Sequence, residues 1–194
     1  FTRSATRDRA LVYLDQAAVK ARHSYANETA LNYYTQALAL EERWVWLKGR
    51  VELLHIVGRR EEEQAALHRL EILAETPEYD VAHLWGQYHE AVSDYVLARA
   101  AGARALATAH QQGDRLNEAN CLAHLGLIAY RQGDYVQAKE WYSQALQLFP
   151  KQTADSDEEA TVMARALNGL GVAYRDQGNF DEARQCHEGA LVLS

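Results

Sequence analysis

The chain has 194 residues with 20 basic and 27 acidic side chains, and its net charge of −7 disfavours binding to a nucleic-acid backbone. Only two prolines and long stretches rich in Ala, Leu, Glu, Gln and Arg favour helix throughout, so an all-α protein is predicted. No apolar run approaches the roughly 20 residues that cross a bilayer and no targeting segment is evident, so a cytoplasmic protein that does not bind membranes is expected.

Apolar residues recur at helical spacing along the whole chain. They predict helices near residues 6–22, 28–42, 44–57, 60–75, 79–93, 95–111, 115–132, 135–149, 157–177 and 180–193. The most loop-like stretch is 151–157, where Asp155, Ser156 or Asp157 suits the N-cap of the next helix. The chain starts without Met and stops inside an amphipathic pattern, so we expect it to be a fragment of a longer protein.

Small residues recur in the first three helix pairs at the positions where two helices are expected to cross. The first pair has Ala18 and Ala30, and the third has Gly86 and Ala98. In the second pair Glu63 stands where an alanine is expected. The register of that pair is therefore left open by one or two residues.

The last two helix pairs contain segments that align without gaps. Residues 122–135 and 167–180 each carry two glycines seven residues apart, which are Gly126 and Gly133 in the earlier segment. An alanine follows the second glycine by five residues, as Ala138 does. Because helices approach closely at small side chains, Gly126 and Ala138 are predicted to lie where the helices cross, and Gly133 to serve the turn.

This pattern resembles the tetratricopeptide repeat family, whose repeat contains Leu-Gly, aromatic residues, alanines and a final proline. The fourth predicted repeat has most of these residues, at Leu122, Leu125, Gly126, Gly133, Tyr135, Ala138, Tyr142, Ala145 and Pro150. The resemblance implies an all-α fold, a right-handed α-solenoid of about five helix-turn-helix hairpins, in a single domain over residues 1–194. The repeats are expected at about 11–43, 44–77, 79–112, 115–150 and 157–194.

No combination of residues indicates catalysis. The eight histidines lack the spacing of a metal motif, the glycines form no phosphate loop, and the acidic clusters lack the alternation of a calcium loop. We therefore expect neither enzymatic activity nor a metal or cofactor. Cys121 and Cys186 form no CxxC pair and are expected to be unlinked core residues.

In the tetratricopeptide family, a protein or peptide partner lies in a concave groove formed by the first helices of the repeats. The resemblance places groove residues of the fourth and fifth repeats at Asn120, Ala123, His124, Leu127, Tyr130, Arg131, Arg165, Asn168, Val172, Arg175 and Asp176. Arg131 and Arg175 are expected to lie near one another and to attract an acidic group that stands beside an apolar residue. The alternative is that both arginines pair with local carboxylates such as Asp134 or Asp176.

One subfamily of tetratricopeptide proteins clamps the C-terminal carboxylate of chaperone tails, and its residue set is incomplete here. Lys48 matches the first clamp position, but Glu52 and Leu84 replace the required asparagines. The first repeat resembles the one that follows the ATPase module of multidomain signalling ATPases, which implies a sensor or regulatory arm of a larger protein. The alternative is a structural scaffold whose exposed end repeats pair with copies of the chain.

Overall fold

The computed structural model describes residues 2–73, 75–149 and 154–193, which form ten α-helices and contain no strand. The helices are α1 (Thr2–His23), α2 (Asn27–Leu40), α3 (Trp44–Val57), α4 (Arg60–Ile72), α5 (Glu78–Ala91), α6 (Tyr95–Gln112), α7 (Arg115–Arg131), α8 (Tyr135–Gln147), α9 (Asp157–Asp176) and α10 (Phe180–Val192). They follow one another as five helix-turn-helix pairs, which confirms the predicted all-α solenoid class. The largest departures from the predicted bounds are at the start of α1 and the end of α4.

The turn inside each pair passes through one residue with a left-handed backbone. These residues are Tyr25, Gly58, Ser93, Gly133 and Gly178, with φ values from 56° to 82°. Each turn closes with a backbone bond of the same type, such as that from Asp134 N to Ala129 O at 3.0 Å. The predicted turn role of Gly133 is confirmed, while Tyr25 and Ser93 adopt this conformation although they carry a side chain.

Side-chain caps fix where several helices begin. Asp134 accepts a hydrogen bond from the N–H three residues later at 3.0 Å, at the start of α8. Of the three caps considered for α9, Ser156 is the one whose side chain accepts a backbone N–H, at 3.2 Å. Pro150, expected to end the preceding helix, and residues 151–153 of the expected loop lie outside the described residues.

Two compact units divide the chain, residues 1–84 and 85–194, with the boundary inside α5. In the first unit α1 packs on α2, α2 on α3 and α3 on α4. In the second unit α7 packs on α6, α8 and α9, and α9 packs on α8 and α10. The single domain expected over residues 1–194 stays a prediction.

A buried ionic network stands inside the first unit, at the point where the second repeat departs from the alanine pattern. Glu63 is 1% exposed, and its carboxylate lies 2.5 Å from Arg60 Nη1 and 2.7 Å from His55 Nδ1. The equivalent Ala30 is also buried. Glu63 therefore occupies the predicted position of the small residue, with its carboxylate paired with the Arg60 guanidinium and in contact with the His55 ring.

Candidate functional site

Helices α7 and α9 pack against each other and bring the predicted groove residues of the fourth and fifth repeats onto neighbouring helices. We define the α7–α9 face by Asn120, Leu127, Tyr130 and Arg131 of α7 and by Arg165, Asn168, Val172 and Arg175 of α9. Two side-chain hydrogen bonds join the helices across this face, one near the start of both helices and one near their end. The residues expected to line the groove thus lie on two adjacent helices of one unit.

The ring of Tyr142 on α8 is 3% exposed and lies against a glycine of α7 and a glycine of α9. A Cβ atom on Gly126 of α7 would lie 2.8 Å from the Tyr142 ring, and one on Gly169 of α9 would overlap the same ring. Burial raises the pKa of the Tyr142 hydroxyl to about 12. Gly126 is therefore a packed position, and the atoms nearest to an added Cβ there belong to the ring of Tyr142.

One predicted groove residue, His124, lies mainly inside the unit. It is 8% exposed, and its Cε1 atom is 3.3 Å from the position that a Cβ on Gly86 would take. His124 is therefore better placed to support the packing of α5 on α7 than to contact a partner directly.

The level of the face closest to the start of the two helices carries a cation bonded to a neutral amide. Arg165 Nη1 donates to Asn120 Oδ1 at 2.6 Å, and the Arg165 side chain is exposed. This bond joins α9 to α7 without cancelling the charge of the guanidinium.

The middle of the face is apolar with one amide side chain. Leu127 and Val172 are half-buried, so each presents part of an aliphatic surface to solvent. Asn168 is exposed, and its Oδ1 lies 3.2 Å from His187 Nδ1. The Asn168 amide nitrogen is a donor that suits a peptide carbonyl, whereas its oxygen already has a partner on α10.

The level closest to the end of the helices is a hydrogen-bonded ionic cluster. Tyr130 Oη donates to Asp176 Oδ2 at 2.7 Å, and Arg175 Nε donates to Asp176 Oδ1 at 2.9 Å. The bond from Tyr130 and then that from Arg175 lower the pKa of the Asp176 carboxyl. The bond to Asp176 also raises the pKa of the Tyr130 hydroxyl. The Asp176 carboxylate thus already accepts hydrogen bonds from both Tyr130 and Arg175.

Arg131 is also paired, with a carboxylate that the sequence did not suggest. Its Nε lies 3.4 Å from Glu90 Oε1 of α5, and the Arg131 side chain is 54% exposed. Both groove arginines that were expected to attract a partner therefore have a carboxylate partner within the chain, as the alternative interpretation held. The pairing of Arg175 with its neighbour Asp176 could be anticipated from sequence, but that of Arg131 with Glu90 could not.

Metal-binding clusters, the two cysteines and membrane-spanning helices were the other features to locate in the described residues. Within residues 2–73, 75–149 and 154–193, no group of three or more His, Cys, Asp or Glu side chains is arranged to hold a metal ion. Cys121 is buried and Cys186 half-buried, and the two are not joined by a disulfide. In the same part of the chain, every helix is too short or too polar to cross a membrane.

Comparisons with known proteins agree with this architecture. Tetratricopeptide repeat models match residues 79–151 and 163–194. No curated protein sequence matches the chain.

Solved structures share the fold at low sequence identity. A crystal structure of the MamA protein has a TM-score of 0.61 at 20% identity, over 96% of this chain and 92% of that one. PilF of Pseudomonas aeruginosa has a TM-score of 0.70 at 14% identity, over 97% of this chain and 78% of PilF. The APC/C hetero-tetramer Cut9–Hcn1 gives 0.76 at 20% identity, over 95% of this chain but 34% of the other.

Two independent lines thus converge, the helix-turn-helix pairs with their packed glycines and the family models that together match more than half of the residues. Proteins of this type are typically scaffolds for protein interaction rather than enzymes. The chain belongs to the tetratricopeptide repeat family.

Proposed function

We propose that the chain binds an extended peptide segment of a partner protein along the α7–α9 face. The observation that carries this proposal is the order of side chains on that face. Half-buried Leu127 and Val172 offer apolar surface, and the exposed Asn168 amide beside them is able to bond a peptide backbone. A surface of this kind, apolar with a few placed polar groups, is typical of peptide recognition.

Random dodecapeptides displayed on phage, selected against the full chain, test the proposal. Selected peptides are expected to lose at least about tenfold in affinity for Asn168→Trp, because the indole would cover the face. The matched control is Gln185→Trp, an exposed position on α10 outside the face, which should bind as the original chain does. Circular dichroism melts verify that both variants fold.

Two outcomes of the selection would overturn the proposal. One is the absence of peptides enriched over protein-free wells. The other is a set of enriched peptides that bind Asn168→Trp and the original chain equally well, which would move the binding site away from the α7–α9 face.

The role of a sensor or regulatory arm in a larger signalling protein extends the same proposal. Its support is the resemblance of the first repeat to the repeat that follows the ATPase module in signalling ATPases. The sequence of the complete gene tests it. An ATPase or output domain encoded in the same reading frame is expected, and a gene that encodes tetratricopeptide repeats alone would contradict the role.

Self-association is a second candidate, favoured by apolar side chains that stand in solvent on α1. Val12, Tyr13 and Val19 are 58%, 64% and 43% exposed. Sedimentation velocity at several concentrations would reveal dimers or larger species, and Val12→Glu with Tyr13→Glu should return the chain to a monomer. A chain that stays monomeric at every concentration would exclude this candidate.

A further inference from the structure

The charges on the α7–α9 face are distributed unequally between its two ends. Near the end of the helices, Arg131 and Arg175 each lie beside a carboxylate, Glu90 and Asp176 respectively. These two cations and two anions cancel. An acidic partner group would have to displace an internal carboxylate to bind either arginine there.

Arg165, near the start of the helices, has different surroundings. Among the described residues no carboxylate lies within salt-bridge distance of its guanidinium, whose recorded partner is the neutral Asn120 amide. Its neighbours one helical turn away on α9, which are Thr161, Val162, Asn168 and Gly169, also carry no charge. Arg165 is therefore an exposed cation of the face with no ion-pair partner in the described part of the chain.

The spacing between this cation and the apolar middle of the face sets a distance for a ligand. Arg165 and Val172 are two helical turns apart on α9, roughly 10 Å along the axis at a rise of about 1.5 Å per residue. A peptide in the extended polyproline II conformation rises about 3.1 Å per residue with three residues per turn, so side chains three positions apart lie on the same side at roughly that distance. Asn168 lies between the two positions, and its exposed amide is able to donate to a peptide carbonyl.

We propose that Arg165 is the anion contact of the α7–α9 face and that the preferred ligand carries an acidic residue three positions from an aliphatic residue. The inference rests on the proposed peptide binding and adds the chemistry of the peptide. The acidic residue of the ligand is thereby assigned to Arg165, at the opposite end of the face from Arg131 and Arg175, the pair that the sequence predicts. The acidic side chain pairs with Arg165, and the aliphatic side chain covers Leu127 and Val172.

A series of fluorescein-labelled dodecapeptides tests the inference. Each has a central leucine in an alanine and serine background and one glutamate, placed one to five residues to either side. Fluorescence anisotropy with the full chain should find the tightest binding when glutamate and leucine are three apart, in one of the two directions. Replacing that glutamate by glutamine should lower the affinity about tenfold, and Arg165→Gln should cause the same loss.

The matched control is Arg184→Gln, which removes an exposed cation of α10 that pairs with Asp181 outside the face. Its affinity for the best peptide should stay within about twofold of the original. If Arg165→Gln binds that peptide as tightly as the original chain, or if Arg131→Gln with Arg175→Gln loses more affinity than Arg165→Gln does, the inference is wrong while peptide binding itself still stands. If no member of the series binds at up to about 1 mM, the inference is also wrong, and the phage-selected peptides then decide the proposed function separately.

Discussion

The basic residues on the first helices of the repeats differ in whether they pair with a carboxylate, and the two units illustrate both cases. In the first unit, Arg22 of α1 lies 2.8 Å from Glu52 of α3, and Lys48 of α3 lies 2.6 Å from Asp80 of α5. In the second unit, Arg165 of α9 contacts only a neutral amide among its recorded partners. Groove cations therefore have their charge cancelled in the first unit, and at Arg131 and Arg175 of the second, but retained at Arg165, so a groove position does not by itself predict an attraction for a charged ligand.

The position where the second helix of a repeat crosses the first gives a related contrast. In the second unit it is occupied by Ala138, which is fully buried. In the first unit the equivalent Glu63 is buried just as deeply and is held by Arg60 and His55. One fold thus tolerates either a small side chain or a compensated charge, and the second solution depends on every partner being present.

The largest expected effect tests that dependence. Arg60→Ala removes a partner of the buried Glu63 carboxylate, so the free energy of unfolding should fall by about 3 kcal/mol. The neighbouring Arg59 pairs with exposed carboxylates, and Arg59→Ala should cost less than about 0.5 kcal/mol. Chemical denaturation measures both changes.

A double variant separates the charge from the packing in this network. Arg60→Ala with Glu63→Ala places an alanine at the position that Ala138 occupies in the fourth repeat. This double variant should recover most of the stability lost by Arg60→Ala alone. Equal stability of the single and the double variant would show that the lone carboxylate is not what destabilises the first unit.

Gly169→Ala tests the corresponding packing in the second unit. The added methyl group would overlap the ring of Tyr142, so the free energy of unfolding should fall by about 2 kcal/mol. Gly189 offers the matched control, since a Cβ there would lie 3.4 Å from Leu167 Cδ1, an ordinary contact. Gly189→Ala should then stabilise the chain by up to about 1 kcal/mol. A stabilising Gly169→Ala would contradict the role of Tyr142 between α7 and α9.

The turns allow a smaller test of the same kind within the second unit. Ser93 has φ of 63° and Gly133 has φ of 80°. A side chain is disfavoured at such angles, so Ser93→Gly should raise the free energy of unfolding by about 0.5–1 kcal/mol and Gly133→Ser should lower it by about 1 kcal/mol. Thermal melts of the two variants should shift in opposite directions, and shifts of the same sign would refute the shared turn geometry.

The smallest effect concerns protonation at the neutralised end of the α7–α9 face. The hydrogen bonds from Tyr130 and Arg175 favour the charged form of Asp176, so its folded-state pKa lies below the ordinary value. Any stabilisation from this carboxylate is present above the ordinary pKa and is lost as the pH falls through the folded pKa. In Tyr130→Phe the pKa of Asp176 should rise, as measured by the NMR titration of its side-chain carbonyl carbon. An unchanged pKa of Asp176 in this variant would show that the hydrogen bond from Tyr130 does not lower it.

Much of the fold could be predicted from the sequence, because helix periodicity and the glycine of the turn at Gly133 are local signals. The contact of Tyr142 with Gly169 was missed since it joins two repeats and requires their relative register. The pairing of Arg131 with Glu90 was missed for a similar reason, because the two residues are far apart in sequence and a repeat pattern does not define which charges meet across helices. The pairing of Glu63 with Arg60 was also missed, although the two residues stand three apart on α4, a spacing at which helical side chains are neighbours.

The central claim is that the α7–α9 face binds peptide, and NMR mapping of the full, ¹⁵N-labelled chain tests it most directly. The probe is the tightest-binding dodecapeptide with glutamate three residues from leucine. The account predicts that amide shifts change mainly within 120–131 and 165–176, and that Arg165→Gln suppresses the changes. Shift changes confined to residues 1–84, or to α8 and α10, would contradict it.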